Sequence, residues 1–86
     1  MLEQIPGDGE NGTLTFGGRA VGLDFNPSND SIVDNLKEHY ADIIDRLDNV
    51  RSMTVDAEVK RLTSIAITEA QTAQMWAVKS VTWEKI

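Results

Sequence analysis

The residues best suited to chemistry lie in one glycine-rich segment, Thr15–Ser28, in which Arg19 is the only cation. A guanidinium matches phosphate oxygens with two parallel hydrogen bonds. The preceding Gly18 leaves room for backbone N–H groups to approach an anion. Phe25 and Asn26 end the segment with an aromatic ring, which can stack on a flat ligand group, and with a polar amide. This combination predicts a ligand site in the segment.

Two long helical patterns follow this segment and must position it. Apolar residues recur at spacings of one, three and four from Ser31 to Arg51, which predicts a first helix with one continuous apolar stripe. A second helix is predicted from Val55 to near Trp83, with Thr54 as its cap. Four acidic residues of the first helix lie away from the stripe and predict a solvated face: Asp34, Glu38, Asp45 and Asp48.

The chain before the helices is predicted to lack regular structure. Glycines interrupt the apolar positions of residues 14–30, which predicts an extended glycine-rich arm. Residues 1–13, rich in glycine and charged groups, are predicted to form a flexible tail. Residues 31–86 form the hairpin domain, and the Asn, Ser and Asp residues of 26–30 are alternative caps for its first helix. The predicted fold class is all-α: an antiparallel two-helix hairpin with an N-terminal extended arm.

Composition excludes several classes of protein. The chain has 86 residues and no cysteine, so neither disulfides nor thiolate metal sites are expected, and its single histidine cannot by itself build a zinc centre. The formal net charge of −6 argues against a DNA-binding protein. The chain has no apolar run of about 18 residues and no signal-peptide pattern at its start, so no membrane association is expected and the protein is predicted to be soluble and intracellular. No metal or cofactor is predicted.

Self-association is expected from the second helix. Its apolar residues are spread over several faces, and one neighbouring helix cannot cover all of them. Met75 and Trp76 are predicted to lie in a core or an interface, since residues of these types are usually buried. We therefore predict a homo-oligomer built from dimers, with a hexamer as one form.

Two separated stretches together carry a family resemblance. Residues 16–28 read FGGRAVGLDFNPS and residues 65–79 read IAITEAQTAQMWAVK. They resemble small phage proteins with the Acb/Tad-type helical hairpin domain. The resemblance implies an anti-CBASS or anti-Thoeris sponge, which sequesters cyclic dinucleotides, cyclic trinucleotides or cyclic ADP-ribose isomers without cleaving them, in the cytoplasm of the infected bacterium. It also implies symmetric oligomers with pockets between protomers, where an aromatic ring contacts a base and basic side chains contact phosphates.

The resemblance assigns roles to the candidate residues. Phe25 is the candidate for base stacking and Phe16 the second choice, while Arg19 is the candidate phosphate contact. The resemblance assigns Lys37 to the ligand site, because the family places a functional lysine in a comparable part of the first helix. The full predicted ligand set is Phe25, Arg19, Lys37, Asn26, Asn35, Gly18, Phe16 and Arg61. Arg61 can join this set only if another subunit brings it across.

Each of these roles has a structural alternative. Phe25 can instead be a hydrophobic staple that packs onto the first helix. Lys37 can be an exposed residue paired with Asp34 or Glu38. Arg61, beside Lys60, can simply be solvated. For the whole protein, the alternatives are a structural assembly hairpin and a protein-binding regulator of a host enzyme. An enzyme is not expected, because the chain has no cysteine and no recognisable serine elbow, and its one histidine lies among acidic residues.

Overall fold

The computed structural model describes residues 14–85, with only the backbone described for residue 85. The tail predicted for residues 1–13 lies outside the described part. Within it, helix α1 spans Phe16–Ala20, α2 spans Ser31–Met53 and α3 spans Ala57–Thr82, followed by a short 3-10 turn, Trp83–Lys85. The predicted all-α class is confirmed for this part of the chain. None of the described helices combines the length and the apolarity needed to cross a membrane.

The two long helices form the predicted hairpin. Near its connection, the guanidinium Nη1 of Arg51 in α2 lies 3.1 Å from the hydroxyl of Ser64 in α3. At the opposite end, Val33 of α2 and Val78 of α3 line the same cavity. The helices are therefore antiparallel, and the start of α2 lies beside the end of α3.

Caps on the two helices explain where they begin. The Asp30 carboxylate accepts a hydrogen bond from the backbone N–H of Ile32 at 2.9 Å, so Asp30 is the cap of α2. Asp56 caps α3 by accepting from the N–H of Glu58 at 2.8 Å. The prediction of Thr54 as this cap is wrong: its hydroxyl accepts from the Asp56 N–H at 3.1 Å. As a result α3 begins at residue 57, two residues later than predicted.

The prediction of an extended arm is wrong for Phe16–Ala20, which form α1. The helix starts because the Thr15 hydroxyl accepts from the Gly18 N–H at 3.0 Å. It is also held from outside, since the Asp45 carboxylate of α2 accepts from the Thr15 hydroxyl and from the Gly17 N–H, both at 2.7 Å. Asp45 is therefore bonded to α1, and the solvated role predicted for it is wrong.

Two glycines allow this arrangement for different reasons. A Cβ added to Gly17 would lie 2.1 Å from the carbonyl oxygen of Ala41, so α1 can seat on α2 only with glycine there. Gly22 has φ 63°, in the left-handed region. Its N–H donates to the Arg19 carbonyl and the next N–H, of Leu23, donates to the Gly18 carbonyl. This pair of bonds is a Schellman motif, which ends α1 and turns the chain.

Replacing Gly22 with alanine is expected to lower the free energy of unfolding by about 1–2 kcal/mol, because a Cβ is strained at positive φ. Urea unfolding followed by circular dichroism measures the change. Gly22→Asn is the matched control, since asparagine tolerates the left-handed region and should lose less. Equal stability of the alanine variant and the wild type would contradict the Schellman assignment.

The hydrophobic core of the described chain is small. It contains Val21 from the segment after α1, Ala41 and Ile44 from α2, and Ile67 from α3. Ala20, Leu23, Tyr40, Leu47 and Ala70 pack around it. By contrast, Met75 and Trp76 are 61% and 66% exposed, so neither belongs to this core. The predicted burial of these two residues therefore requires an interface.

Candidate functional site

A cavity of about 450 Å³ lies where the segment before α2 meets the start of α2 and the end of α3. That volume is within the range of small-molecule sites, about 300–1,000 Å³. Its walls combine aromatic, aliphatic and polar side chains: Phe25, Asn26, Pro27, Ser28, Val33, Lys37, Val78 and Thr82. Three of the predicted ligand residues, Phe25, Asn26 and Lys37, therefore meet at one place.

Phe25 provides the aromatic wall of the cavity. Its side chain is 70% exposed, so the alternative of a hydrophobic staple packed onto α2 is wrong. The backbone of Phe25 is nevertheless fixed: its N–H donates to the Gly22 carbonyl at 2.9 Å, and its own carbonyl accepts from the Lys37 ammonium. An exposed ring on a fixed backbone is suited to stacking on a flat ligand.

Lys37 lies beneath this segment and is only 5% exposed. Its ammonium donates to the Gly22 carbonyl at 3.0 Å and to the Phe25 carbonyl, and lies 5.7 Å from the centre of the Phe25 ring. The alternative of an exposed lysine paired with acidic neighbours is therefore wrong. Burial lowers the pKa of Lys37 from its ordinary value, and the charge of Asp34 partly opposes this shift.

Asn26 faces the cavity, but all the hydrogen-bonding groups of its amide are occupied by residues of the loop and of the first turn of α2. The amide nitrogen donates to the Asp30 carbonyl at 2.9 Å and to the Asp34 carboxylate at 3.0 Å. The amide oxygen accepts from the Ser28 hydroxyl at 2.6 Å and from the Asn29 N–H at 3.2 Å. An asparagine side chain has two donors and two acceptor sites, so none remains for a ligand. Asn26 therefore shapes the loop, and its amide has no hydrogen-bonding group left for the ligand contact that the sequence predicts.

The two hydroxyls that line the cavity also have their protons committed. The Ser28 hydroxyl donates to Asn26, and the Thr82 hydroxyl donates to the Val78 carbonyl at 2.9 Å. Among the side chains that line the cavity, only Lys37, whose ammonium has three donors and uses two on carbonyls, has an N–H left for a ligand. The lining residues include no carboxylate, histidine or cysteine. The cavity is thus suited to binding a flat group beside one cation.

The family model "Acb2/Tad1, hairpin domain" matches residues 19–82, which is most of the chain. The protein belongs to the Acb2/Tad1 hairpin domain family. This is the anti-CBASS and anti-Thoeris sponge family, and it is associated with the sequestration of cyclic nucleotides. The comparisons with curated proteins and with solved structures give no match.

The matched range of the Acb2/Tad1 hairpin domain includes the whole cavity, but other predicted ligand residues lie away from it. Gly18 is buried within α1, and Arg19 is exposed on the same helix. The Phe16 ring lies 5.6 Å from the guanidinium of Arg51, towards the hairpin connection. None of these three lines the cavity, because α1 lies beside the middle of α2, where Gly17 meets Ala41 and Asp45, and not at the start of that helix.

Asn35 and Arg61 are also outside the cavity of one hairpin. Asn35 is exposed on α2. Arg61 lies 17 residues before Val78 on α3, about 25 Å along the helix axis. It forms a two-pronged ion pair with Glu58, with N–O distances of 3.0 and 2.6 Å, and this pair lowers the pKa of Glu58.

Sequence reasoning missed five residues that line the cavity: Pro27, Ser28, Val33, Val78 and Thr82. One available signal was the antiparallel hairpin itself, which brings the end of α3 to the start of α2. Pro27 and Ser28 also follow directly after two predicted ligand residues. Val33 belongs to the apolar stripe of the first helix, and Val78 is one of the apolar residues that are spread over several faces of the second helix, so neither pattern marks a cavity wall.

Proposed function

We propose that this protein is a sponge that binds a cyclic-nucleotide immune messenger in the cavity and holds it without cleaving it. The observation that carries the proposal is the exposed ring of Phe25 above the buried ammonium of Lys37, 5.7 Å apart, at a cavity of about 450 Å³. Membership of the sponge family supports the same conclusion. The messengers concerned are cyclic dinucleotides, cyclic trinucleotides and cyclic ADP-ribose isomers.

The ligand's parts match those of the cavity. One base stacks on Phe25, an interaction worth about 1–3 kcal/mol. One phosphate oxygen accepts the remaining N–H of Lys37, as a charge-assisted hydrogen bond. The aliphatic side chains of Val33 and Val78 cover the apolar parts of the bound nucleotide. The lining supports binding without cleavage, because it contains no carboxylate or imidazole that could activate a water molecule.

A cyclic dinucleotide has two phosphates, and among the described residues that line the cavity only Lys37 is a cation. A cation from another copy of the chain, such as Arg19 or Arg61, is the candidate partner of the second phosphate. We accordingly propose a homo-oligomer in which neighbouring protomers complete each site. Such a sponge acts in the cytoplasm of the infected bacterium, where the messenger is made.

Calorimetric titration with a panel of cyclic dinucleotides, cyclic trinucleotides and cyclic ADP-ribose isomers tests this function. Tight binding is expected for at least one of them, and heating the complex should release that nucleotide intact. Chromatography of the released material distinguishes a sponge from an enzyme. Flat titrations with folded, ligand-free protein would reject the sponge and favour a structural assembly protein, for which the exposed apolar residues of α3 already provide an interface.

Phe25→Ala is expected to weaken binding by about 1–3 kcal/mol, roughly 5- to 150-fold, since stacking on one base is lost. Titration of the variant with the same nucleotide measures this change. Phe16→Ala is the matched control, because the Phe16 ring contacts Arg51 and does not line the cavity. Equal losses from both variants, or none from Phe25→Ala, would remove Phe25 from the site.

A further inference from the structure

The outer face of α3 carries a row of exposed side chains that neither line the cavity nor pack against α2. Five exposed residues of α3 lie on it, and the exposed Trp83, which caps the end of the helix with helical backbone angles, continues it: Ile65, Glu69, Thr72, Trp76, Lys79 and Trp83. At 100° per residue they fall within an arc of about 80°. The buried residues of the same helix, Thr63, Ile67 and Gln74, lie on the opposite side. This outer face is thus turned away from α2.

Aromatic groups on this face hold a cation between them. The Lys79 ammonium lies 5.8 Å from the centre of the Trp76 ring and 6.0 Å from that of Trp83. The two indoles are 66% and 64% exposed. Large aromatic side chains such as tryptophan are enriched in protein interfaces. A fitting partner surface would place a carboxylate opposite Lys79 and an aliphatic group against the indoles.

The outer face of a second, antiparallel copy of α3 provides both the carboxylate and the aliphatic group. Residues 69 and 79, residues 65 and 83, and residues 72 and 76 all have the same midpoint, position 74. An antiparallel copy of α3 centred there brings Glu69 opposite Lys79 and Ile65 opposite Trp83. Both contacts occur twice, as a two-fold interface requires.

A hollow in the surface fits the same arrangement. Beside Ile65 there is a shallow depression of about 350 Å³, lined also by Arg61, Ser64, Thr68 and Glu69. The antiparallel copy places its Trp83 indole over this depression. Apolar burial and opposite charges therefore coincide in a single register.

We propose that a second copy of this chain covers the outer face of α3 through this antiparallel α3–α3 contact, with Glu69 of each copy paired to Lys79 of the other. The proposal specifies one interface of the proposed oligomer and does not depend on nucleotide binding. A failure of nucleotide titration would leave it standing. A protein that associates through another face would overturn this contact and leave the proposed sponge standing, whereas a monomeric protein would overturn both this contact and the proposed completion of each site by a neighbour.

Charge reversal tests the register by sedimentation equilibrium. Glu69→Lys and Lys79→Glu are each expected to weaken association at least about tenfold, because two attractive pairs per dimer become repulsive. The double variant Glu69→Lys/Lys79→Glu restores both pairs and should associate to within about threefold of the wild type. Glu38→Lys, the same charge change at an exposed residue of α2, is the matched control and should have no effect.

Fluorescence gives an independent measurement of the same face. Trp76 and Trp83 are the only tryptophans of the chain. Association through the outer face should shift their emission to shorter wavelength and reduce quenching by acrylamide. A wild-type protein that stays monomeric at concentrations up to about 100 μM would overturn the proposal, because its free energy of association would then be weaker than about 5.5 kcal/mol. Association that leaves tryptophan emission unchanged, or that both single reversals tolerate, would overturn it too.

Discussion

Lys37→Met is expected to weaken nucleotide binding by about 2–5 kcal/mol, roughly 30- to several-thousand-fold, a larger loss than for any other substitution at the cavity. Methionine fills the space of the lysine stem but donates no hydrogen bond. The carbonyls of Gly22 and Phe25 then lose the ammonium that holds them. The Phe25 ring loses its fixed backbone, and the ligand loses the one cation among the described residues that line the cavity. Calorimetric titration measures the change in affinity.

The same substitution should also lower the free energy of unfolding, by about 2–4 kcal/mol. The two charge-assisted hydrogen bonds that are lost contribute about 1.5–3 kcal/mol each. Part of this loss is offset, because methionine has no charge whose burial costs free energy. Lys60→Met is the matched control, because Lys60 is exposed near the hairpin connection, and its loss should be within about 0.5 kcal/mol. Wild-type affinity in Lys37→Met would mean that the lysine belongs to neither the loop nor the ligand site.

The pH dependence separates a buried Lys37 from an exposed one. Burial lowers the pKa of Lys37 in the folded protein, so the unfolded chain binds more protons between that lowered pKa and 10.5. The contribution of Lys37 to the free energy of unfolding therefore rises as pH increases through this window. Urea unfolding of the wild type and of Lys37→Met, compared across the window, should show a growing difference. A constant difference would indicate a solvated lysine.

The two long helices were predictable because their signals are local. Apolar spacing and nearby capping residues depend on neighbours within a few positions, and the structure changes only the ends: α2 extends to Met53 instead of Arg51, and α3 begins at Ala57 instead of Val55. Lys37 lies in the first two turns of α2, and the loop residues Phe25 and Asn26 come shortly before that helix in the sequence. Nearness along the chain is why these three candidates meet at the cavity.

The remaining features depend on partners far away in the sequence. α1 forms because Asp45, 28 residues after Gly17, accepts its N–H. No local pattern marks that pairing, and glycine-rich composition by itself favours an extended arm. Once α1 forms, it carries Arg19 and Phe16 away from the cavity. Similarly, the residue types around Lys37 indicate an exposed acidic neighbourhood, and only the folded segment that covers it makes the lysine buried.

Gly17→Ala is expected to remove about 3–5 kcal/mol of stability or to release α1 from α2. The added Cβ would lie 2.1 Å from the Ala41 carbonyl oxygen and 2.9 Å from the carboxylate carbon of Asp45. Backbone atoms of a packed helix cannot yield by that distance, and overpacking alone costs about 1–3 kcal/mol. Moving α1 outward would also break the two 2.7 Å bonds to the Asp45 carboxylate, from Thr15 and from Gly17.

Urea unfolding gives the change in stability, and amide hydrogen exchange shows whether α1 is released. If it is, the N–H groups of Gly18 to Leu23 lose protection while those of α2 and α3 keep theirs. Arg19→Ala, an exposed substitution in the same helix, is the control and should be close to neutral. Asp45→Asn should reproduce part of the effect, because it weakens both bonds without a steric clash. A Gly17→Ala protein with wild-type stability and wild-type hydrogen-exchange protection would show that α1 does not pack against Ala41. The experiment therefore tests the close approach of α1 and α2 at Gly17 directly.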